Sequence, residues 1–562
     1  MASPTDDKQS SLQQLEYVAP AILPADSDSP LTPTSIEKSS SFDNSPRLDG
    51  QAAEVLKGSR LASALLEERP SPYSFRMLRL WACLFVAYMC SAQNGFDANT
   101  FGGVSAMPNF KKQFGVDQGT TQGFLAAIYV LGNVVGSFVA GPNADRYGRR
   151  FGMFTGSIIS LIGAILQTAA QREVHIIAGR VILGVGAVLL GPAGQSYVIE
   201  MSHPAYRGIM GGMYQVCFFL GTIISTWLEY GLSYYGGQST INWRLPMAIQ
   251  AIPALILLTF VFFLPESPRW HMSRGQDEKA REILVKYHGN GNPDSEIVKL
   301  EMEEMKQVIT TGGSDKRWWD YRDLFNSREA RYRSFLVGCI AFFGQLDLPP
   351  TSYYFPLMVQ TAGITSEQTQ LLLNAIQTPV MMVSSLLGIQ VIDRFGRRKL
   401  LMWSSLWMSI AVAVIIGATA TQQGHPGIGI LGIAFIYVFL VAFAFAWTPC
   451  QALYPTEVLA YNARAKGLGM YGLFQNIVTF INTYAAPVGI DNDSWRFYFL
   501  YLAVDAVGIA VIYIFFVETK GRNIEEMDAI FNDKHPVRAS LARQKVVVAE
   551  DGRAHDVHGN AA

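Results

Sequence analysis

The hexapeptide DRYGRR occupies residues 145–150 and returns as DRFGRR at residues 393–398, each time between two long apolar runs. Further matches keep the same order in both copies. A glutamate stands seven residues before an arginine, and a short acidic motif follows each hexapeptide by about 120 residues; the members are Glu200 and Arg207, Glu457 and Arg464, PESPR at 265–269 and VETKG at 517–521. Such self-similarity indicates a duplicated chain with two similar halves.

The composition is that of a membrane protein. Half of the 562 residues are hydrophobic, 16% are charged and the mean hydropathy is +0.19, whereas a soluble domain carries about 25% charged residues. The net charge of -1, with no basic face, argues against a nucleic-acid partner. The five cysteines have neither metal-ligand nor disulfide-framework spacing, so they are expected to be buried thiols.

Twelve apolar runs predict twelve membrane spans. A run of about 20 residues is long enough to cross a hydrocarbon core of about 30 Å as a helix. The runs centre near Phe85, Leu131, Ser160, Gly186, Phe219, Ile256, Gly344, Met381, Ile410, Phe439, Leu473 and Gly508. The fold class is therefore predicted to be all-α, a polytopic membrane protein.

The connecting loops predict the orientation, because Lys and Arg accumulate on the cytoplasmic side. Loops after even-numbered spans carry Arg146, Arg149, Arg150, Arg207, Arg394, Arg397, Arg398, Lys399, Arg464 and Lys466. Loops after odd-numbered spans carry little more than Lys111, Lys112, Arg172 and Arg496. Both termini are thus predicted to be cytoplasmic. No basic segment leads into an apolar run at the N-terminus, so no cleaved signal peptide is expected.

Composition along the chain predicts its organisation. Residues 1–75 are expected to form a disordered cytoplasmic N-terminus, followed by a six-helix bundle at 76–264, cytoplasmic linker helices at 265–333, a second six-helix bundle at 334–517 and a cytoplasmic tail at 518–562. Beyond about residue 532 the tail has too few apolar residues to fold and is expected to be disordered. Asn492 begins a glycosylation sequon on the predicted outer side.

These motifs, together with GRVILGVG at 179–186, EMSHPAYRG at 200–208 and ETKGR at 518–522, resemble the sugar porter family of the major facilitator superfamily over roughly residues 75–530. The extended termini resemble those of fungal hexose or sugar:proton symporters. The resemblance implies two parallel six-helix bundles and proton-coupled import of a neutral sugar, foremost a hexose, by alternating access. It also implies a plasma-membrane protein that functions as a monomer within the lipid bilayer.

Other functions remain open at this point. The substrate could instead be a disaccharide, a polyol, a quinate-like compound or another small metabolite, and the chain could be a sugar receptor that does not transport. An enzyme is not expected, because no nucleophile, metal or nucleotide motif occurs in the sequence. No cofactor and no metal site are predicted.

Two sets of charged residues are expected to meet at the cytoplasmic ends of the spans. They are Asp145, Arg149, Arg150, Glu200 and Arg207 in the first half, and Asp393, Arg397, Arg398, Glu457 and Arg464 in the second. Opposite charges that are partly desolvated at helix ends can hold a bundle together. We expect them to form a conformational latch that holds the outward-open state. The alternative is that the cations merely follow the positive-inside rule.

Asp97 in span 1 and Arg180 in span 4 are the leading candidates for proton coupling. An ionisable residue within a span is costly and marks a functional site by default. The family resemblance implies that the acid carries the proton and that the arginine responds to its charge. The alternative is an acid at the membrane interface that simply faces water.

Uncharged polar side chains are the candidates for sugar binding, because amides and hydroxyls donate to and accept from sugar hydroxyls. The resemblance implies Gln215, Gln345, Tyr353, Tyr354, Trp447, Gln475 and Asn476. Each amide could instead form an interhelical hydrogen bond, and Trp447 could simply pack. Asp347, beside two prolines, is either a second proton site or a helix-stabilising acid. Glu229 and Asp505 are expected to lie at the rim or to face the helix lattice.

Overall fold

The structure is a computed structural model, which describes residues 71–116, 119–235, 240–312, 321–346, 351–361, 363–421, 426–460, 463–520, 522, 524–541, 545–548 and 554–557. Most of the predicted disordered N-terminus, up to residue 70, lies outside the described residues. Asp347 lies outside them as well, so neither expectation about this acid is tested.

Twelve spans follow one another in chain order, which confirms the predicted all-α polytopic fold. Spans 1–6 are Phe75–Ala106, Gly119–Tyr147, Arg149–Thr168, Glu173–Met201, Arg207–Leu232 and the pair Ile241–Ile249 and Ala251–Phe260. Spans 7–12 are the pair Arg328–Leu346 and Thr351–Thr361, then Glu367–Phe395, Arg397–Thr421, Pro426–Val458, Arg464–Asp493 and Tyr498–Phe515.

Ten of these spans are helices long and apolar enough to cross a membrane on their own, as judged over the described residues. Span 7 is a pair of helices on either side of residues 347–350, and span 11 carries four amide side chains, Gln475, Asn476, Asn482 and Asn492. These two spans complete the twelve. Polar content in the middle of a span is a first sign of where a polar ligand is bound.

Shorter elements connect the spans and follow them. The linker contains helices α1 (Pro268–Ser273), α2 (Asp277–Tyr287) and α3 (Glu296–Gly312), and a helix at Pro108–Phe114 follows span 1. The tail contains α4 (Ile524–Asn532) and α5 (Pro536–Leu541), then strands β1 (Lys545–Val548) and β2 (Ala554–Val557), which pair antiparallel.

The tail therefore differs from the expected disorder beyond residue 532. Val537 and Ala539 of α5 pack against the core of the second half, and the Ser540 hydroxyl accepts a hydrogen bond from the Glu518 backbone N–H at 3.2 Å. A short helix of low overall hydropathy can still dock, because a preformed bundle can bury the few apolar side chains that it has.

Close helix packing within each half depends on small residues. A Cβ atom on Gly95 of span 1 would lie 2.0 Å from the Phe218 carbonyl oxygen of span 5, and one on Gly221 would lie 2.0 Å from the Ala92 carbonyl oxygen. Membrane helices associate through such backbone approach, since lipid tails compete for apolar side chains. Spans 1 and 5 are therefore tightly joined in the first half.

The halves meet at the end opposite the two charged hexapeptides. We call the hexapeptide end the cluster end, which the sequence predicts to be cytoplasmic, and the opposite end the far end. One apolar cluster at the far end joins both halves through Phe101 and Trp243 of the first and Tyr354 and Ala486 of the second. The Asp491 carboxylate also accepts a hydrogen bond across the halves from a span 2 backbone N–H, that of residue 119.

Space remains on spans 5 and 11 toward the cluster end. A Cβ built on Gly208, Gly211 or Gly212 of span 5, or on Gly469 or Gly472 of span 11, would meet no atom within 4 Å. On span 2 at the far end, a Cβ on Gly123 would instead lie 2.8 Å from Pro487 of span 11. The structure is therefore closed between the halves at the far end.

Candidate functional site

The turn between spans 2 and 3 is built around a glycine and a carboxylate. Gly148 has a φ of 100°, a conformation that side chains other than glycine rarely adopt. The Glu266 carboxylate occupies the space that a Cβ would need, with its Oε2 2.4 Å from that position. It accepts hydrogen bonds from the backbone N–H groups of Arg149 at 3.0 Å and Arg150 at 3.2 Å. An acid from PESPR thus caps the N-terminus of span 3, where the helix dipole favours negative charge.

The second half repeats this arrangement. Gly396 has a φ of 89°, and the Glu518 Oε2 lies 2.5 Å from its would-be Cβ. Glu518 accepts from the backbone N–H groups of Arg397 at 2.8 Å and Arg398 at 3.2 Å. The glycine of each hexapeptide and the glutamate about 120 residues later are therefore one structural unit.

Side-chain charges complete each unit. In the first half, Arg149 donates from Nε and Nη2 to Glu200 at 3.1 and 3.0 Å, and from Nη1 to Asp145 at 3.1 Å. The Ser267 hydroxyl also donates to Glu200. The bidentate geometry is the strong form of an arginine–carboxylate pair. Through Glu200, the turn between spans 2 and 3 is thus joined to span 4 and to Ser267 of the PESPR motif.

The second cluster has the same contacts. Arg397 donates to Glu457 at 3.0 and 2.6 Å and to Asp393 at 2.8 Å. Thr519 takes the place of the serine, and its hydroxyl donates to Glu457 at 2.6 Å. The duplication read from the sequence thus extends to individual hydrogen bonds.

Four of the ten expected cluster residues point elsewhere. Arg150 and Arg398 donate to main-chain carbonyl groups, at residues 261 and 262 after span 6 and at 512 and 513 in span 12. Arg207 pairs with Glu301 of linker helix α3 at 3.3 Å instead of with Glu200. Arg464 donates to the Leu459 carbonyl at 3.4 Å. Arg150 and Arg398 thus bond to the ends of spans 6 and 12, and Arg207 ties span 5 to the linker.

The side-chain pairs of Arg149 and Arg397 each lie within one half and are intact although the far end is closed. The latch expected from the sequence would have to release in that state. A rigid half can rock without changing contacts among its own helices, which explains why both pairs survive. Their contacts as seen here stabilise each bundle.

Asp97 and Arg180 are both buried, each with 1% of its surface exposed. Both Asp97 oxygens accept from the Gln93 amide, at 2.8 Å each. The Arg180 guanidinium lies 3.9 Å from the centroid of the Phe101 ring and donates to the Ala126 carbonyl at 3.2 Å. Within the described residues, no ion pair closer than 4 Å joins these two side chains.

An amide cluster lies between spans 7, 10 and 11. The Gln451 Oε1 accepts from the side-chain amides of Gln345 at 3.2 Å and Gln475 at 3.3 Å. The Gln451 amide donates to the Gly344 carbonyl at 3.1 Å, and Thr479 donates to the Gln345 Oε1 at 2.9 Å. Every side chain of this amide cluster is uncharged and bears donors or acceptors that can exchange partners with hydroxyl groups.

The other expected sugar ligands are dispersed. Gln215 is half-buried on span 5 and makes no side-chain hydrogen bond to any described residue. Asn476 donates to Ser137 of span 2 at 3.2 Å, across the two halves. Tyr354 is buried at the far end and donates to the Thr483 carbonyl at 2.7 Å. The side chain of Tyr353 lies outside the described part.

Trp447 is fully packed, with 1% of its surface exposed. Its indole N–H donates to Ser405 of span 9 at 3.2 Å. This placement agrees with the packing alternative that the sequence left open, and it leaves no ring face free to stack on a sugar.

The expectation that Glu229 and Asp505 lie at the rim is wrong. Glu229 is fully buried between spans 1 and 5 and accepts from Ser225 at 3.0 Å, and Asp505 of span 12 has only 1% of its surface exposed. Hydropathy alone cannot tell the inner from the outer face of such apolar helices.

Sequence reasoning missed Gln451 and the capping acids Glu266 and Glu518. Both acids belong to the duplicated motifs PESPR and VETKG, and the glutamate that these two motifs share could have indicated a common role. Gln451 stands four residues after Trp447, hence on the same side of a helix, but its contact with Gln345 and Gln475 depends on the crossing of three spans. Asn492, the glycosylation candidate, is exposed in the last turn of span 11.

Comparisons with known proteins agree with this architecture. Residues 83–531 match the family described as "Sugar (and other) transporter". The chain is 28% identical over 501 residues to the high-affinity glucose transporter of Kluyveromyces lactis, covering 85% of this chain and 90% of that protein. It is 27% identical over 510 residues to the quinate permease of Neurospora terricola, covering 87% and 94%.

Solved structures share the fold. The xylose transporter XylE from E. coli, in a partially occluded inward-open conformation, superposes with a TM-score of 0.67 at 22% identity, covering 79% of this chain and 99% of that one. Its inward-open conformation gives a TM-score of 0.67 at 21% identity, covering 80% and 99%. The twelve-span arrangement is thus the same in both proteins.

Proposed function

The chain belongs to the sugar transporter family of membrane proteins, and on that premise we propose that it imports a neutral sugar, foremost a hexose, together with a proton. The two halves alternate between a cavity open at the far end and a cavity open at the cluster end. We infer the plasma membrane as its location, with both termini cytoplasmic, and a monomer as the transporting unit.

The observation that carries the proposal is the amide cluster on spans 7, 10 and 11. Gln345 and Gln475 both donate hydrogen bonds to the side-chain oxygen of Gln451. A sugar hydroxyl can take the place of one of these protein partners without leaving a buried polar atom unsatisfied. An unsatisfied buried donor or acceptor costs about 1–3 kcal/mol, and such an exchange avoids that cost. The uncharged cluster favours a neutral substrate over a carboxylate such as quinate.

Gln215 supplies the opposite wall. It projects from span 5 of the first half with no protein partner among the described residues, whereas the amide cluster belongs to the second half. A sugar held by both would be contacted differently as the halves rock. Binding energy that depends on the conformation is what allows a substrate to shift the equilibrium between states.

Asp97 is the proposed proton carrier. Its carboxylate accepts hydrogen bonds from the neutral Gln93 amide, while the Arg180 guanidinium lies over the Phe101 ring. A negative charge buried in this way is expensive, so closing the far end favours the protonated acid. In the alternative state the ionised acid attracts Arg180 and the cavity faces the outside. Proton release at the cluster end then follows sugar release.

The proposal is tested by uptake of labelled hexoses, pentoses, disaccharides, polyols and quinate into proteoliposomes, with and without an inward proton gradient. We expect one neutral sugar to accumulate only with the gradient. Accumulation of quinate alone would replace the sugar assignment by the organic-acid alternative. Saturable sugar binding without any uptake would favour a receptor.

A further inference from the structure

A basic cavity opens where span 1 begins and the linker passes beneath it. The cavity has a volume of about 370 Å³ and lies between the first two turns of span 1 and the end of linker helix α2. Arg76 and Arg79 contribute from span 1, and Lys286 and Tyr287 contribute from α2. It is separate from the amide cluster and from both charge clusters.

The three cations of the cavity are not neutralised by protein carboxylates. Within the described residues, no carboxylate lies within 4 Å of the charged groups of Arg76, Arg79 and Lys286. Glu282 is the one acid of the lining. The start of span 1 contributes the positive end of its helix dipole and the end of α2 contributes the negative end of its own, so the excess of cations over acids in the lining is what favours an anion.

A glycine shapes the wall of the cavity. Gly291 has a φ of 82°, and the Arg76 Nη1 lies 1.4 Å from the position that a Cβ would take. The guanidinium thus rests directly on the backbone of the loop after α2. A side chain at residue 291 would displace Arg76, so the loop is shaped to hold this arginine at the cavity.

The cavity lies at the level of lipid headgroups. Arg76 and Arg79 occupy the first turns of a membrane span, and the neighbouring Tyr73 and Phe75 are 83% and 69% exposed. Aromatic side chains at a span end mark the membrane interface. Basic pockets at this depth on the cytoplasmic side are suited to phosphorylated headgroups.

We propose that this cavity binds a phosphate group carried by the headgroup of an anionic phospholipid, and that the lipid ties linker helix α2 to span 1. The phosphate oxygens accept hydrogen bonds from Arg76, Arg79 and Lys286, while the acyl chains lie along span 1. Arginine forks suit phosphate geometry, and lysine adds a point charge. The inference is independent of which solute the protein transports.

The test uses the purified full-length protein and measures binding of short-chain phosphatidylinositol phosphate. Each Lys or Arg near an anionic surface contributes about 1 kcal/mol, which is about fivefold in Kd. We therefore expect Lys286→Gln to weaken binding about fivefold and Arg76→Gln with Arg79→Gln to weaken it about 25-fold. Lys279→Gln, two turns earlier on α2 and outside the cavity, removes the same charge and should change little.

Two further probes identify the ligand. Short-chain phosphatidylcholine should bind weakly, because its headgroup has no net charge. Inorganic phosphate and inositol phosphate lack acyl chains; if either binds as tightly as the lipid, the lipid assignment is overturned. Equal loss of binding in Lys279→Gln and Lys286→Gln, or no binding to the wild-type protein, would overturn the site itself.

Discussion

At the scale of single residues, Asp97 is the acid whose protonation the transport cycle requires. Asp97→Asn keeps a polar group beside Gln93 but cannot release a proton. We expect gradient-driven accumulation of sugar to be lost, while exchange of labelled for unlabelled sugar across the membrane persists. Both are measured in proteoliposomes that contain the variant.

Glu229→Gln is the matched control for this prediction. Glu229 is a second fully buried acid of the first half, held by Ser225 instead of by Gln93. Accumulation should survive in Glu229→Gln. Retained accumulation in Asp97→Asn, or equal loss in both variants, would refute the assignment of coupling to Asp97.

Gln451 is predicted to be a sugar ligand through the same cluster as Gln345 and Gln475. Gln451→Ala removes the shared acceptor, so the sugar loses about 1–1.5 kcal/mol of hydrogen bonding. We expect the KM for uptake to rise about five- to tenfold, with a smaller change in maximal rate. Gln360→Ala, the same substitution at an exposed position of span 7, should leave KM unchanged. An unaltered KM in Gln451→Ala would remove this residue from the site.

Individual contacts were the least predictable part of the molecule. The sequence indicated which polar residues lie within spans, because such residues are rare there. It did not indicate that Gln451 joins Gln345 to Gln475, or that Arg207 pairs with Glu301, since both contacts depend on helix crossings between distant segments. Trp447 and Glu229 show the same limit: an apolar helix without a polar face does not reveal which side is buried.

At the scale of elements, the positions of the turns after spans 2 and 8 were predicted, because each hexapeptide stands between two apolar runs. The glycine and the carboxylate that build each turn were not predicted. Gly148 and Gly396 must take a left-handed conformation, and a carboxylate replaces the missing side chain in both copies. The approximate positions of the spans were equally predictable, since hydrocarbon thickness sets the length of apolar run that a span needs. The docking of α5 could not be predicted from the sequence, because it depends on a surface that only the folded second half provides.

The linker is attached to the first half by a buried cluster of titratable groups. His288 lies 2.5 Å from the Glu301 Oε2 and 3.2 Å from the Met201 carbonyl, and Arg207 pairs with Glu301 on its other oxygen. The His203 ring lies edge-to-face to the His288 ring, with ring centroids 5.2 Å apart. Two linker elements, α2 and α3, are thereby held against the turn between spans 4 and 5.

These contacts shift the pKa values of the two histidines in opposite directions. Burial alone would lower the pKa of His288, but the Glu301 carboxylate and the Met201 carbonyl raise it above its ordinary value. Burial, assisted by the neighbouring His288, lowers the pKa of His203 to about 4. Burial alone would raise the pKa of Glu301, but His288 and Arg207 lower it below its ordinary value.

Linker attachment is therefore predicted to weaken on both sides of a middle pH range. The raised pKa of His288 gives stability that is complete below about pH 6.5 and is lost as pH rises through the folded value. The lowered pKa of His203 costs stability as pH falls from about 6.5 toward 4, since the unfolded chain then binds the proton. The lowered pKa of Glu301 gives stability that is present above about pH 4.3 and lost below it.

The thermal unfolding midpoint between pH 6 and about 9 measures the alkaline side of this prediction. The wild-type midpoint should fall relative to that of His288→Gln, which starts lower and changes less. His271→Gln, a linker histidine outside the cluster, should follow the wild type. Parallel curves for wild type and His288→Gln would contradict the assigned charge of His288.

At the scale of the whole molecule, the structure shows one end of the transport cycle. The far end is closed by contacts between the halves, and both charge clusters are intact within their own halves. The duplicated motifs predicted two bundles, but they could not predict which state the structure adopts, because motion between rigid halves leaves each motif unchanged.

Closure at the far end depends on small residues between spans 2 and 11. Gly123→Trp should block it, because even a Cβ there would lie 2.8 Å from Pro487. We expect sugar binding to persist while transport falls at least tenfold, as measured by binding and uptake on the same preparation. Gly141→Trp on the same helix, where a Cβ meets nothing within 4 Å, is the control. Unimpaired transport by Gly123→Trp would show that this closure is not part of the cycle.

The central claim is that sugar and proton move together, and proton entry driven by sugar tests it most directly. Proteoliposomes loaded with a pH-sensitive dye, without any initial pH difference, are given an inward gradient of the transported sugar. We predict that the lumen acidifies as the sugar enters, and that Asp97→Asn abolishes the acidification. Sugar entry at a constant lumen pH in the wild-type protein would contradict proton coupling.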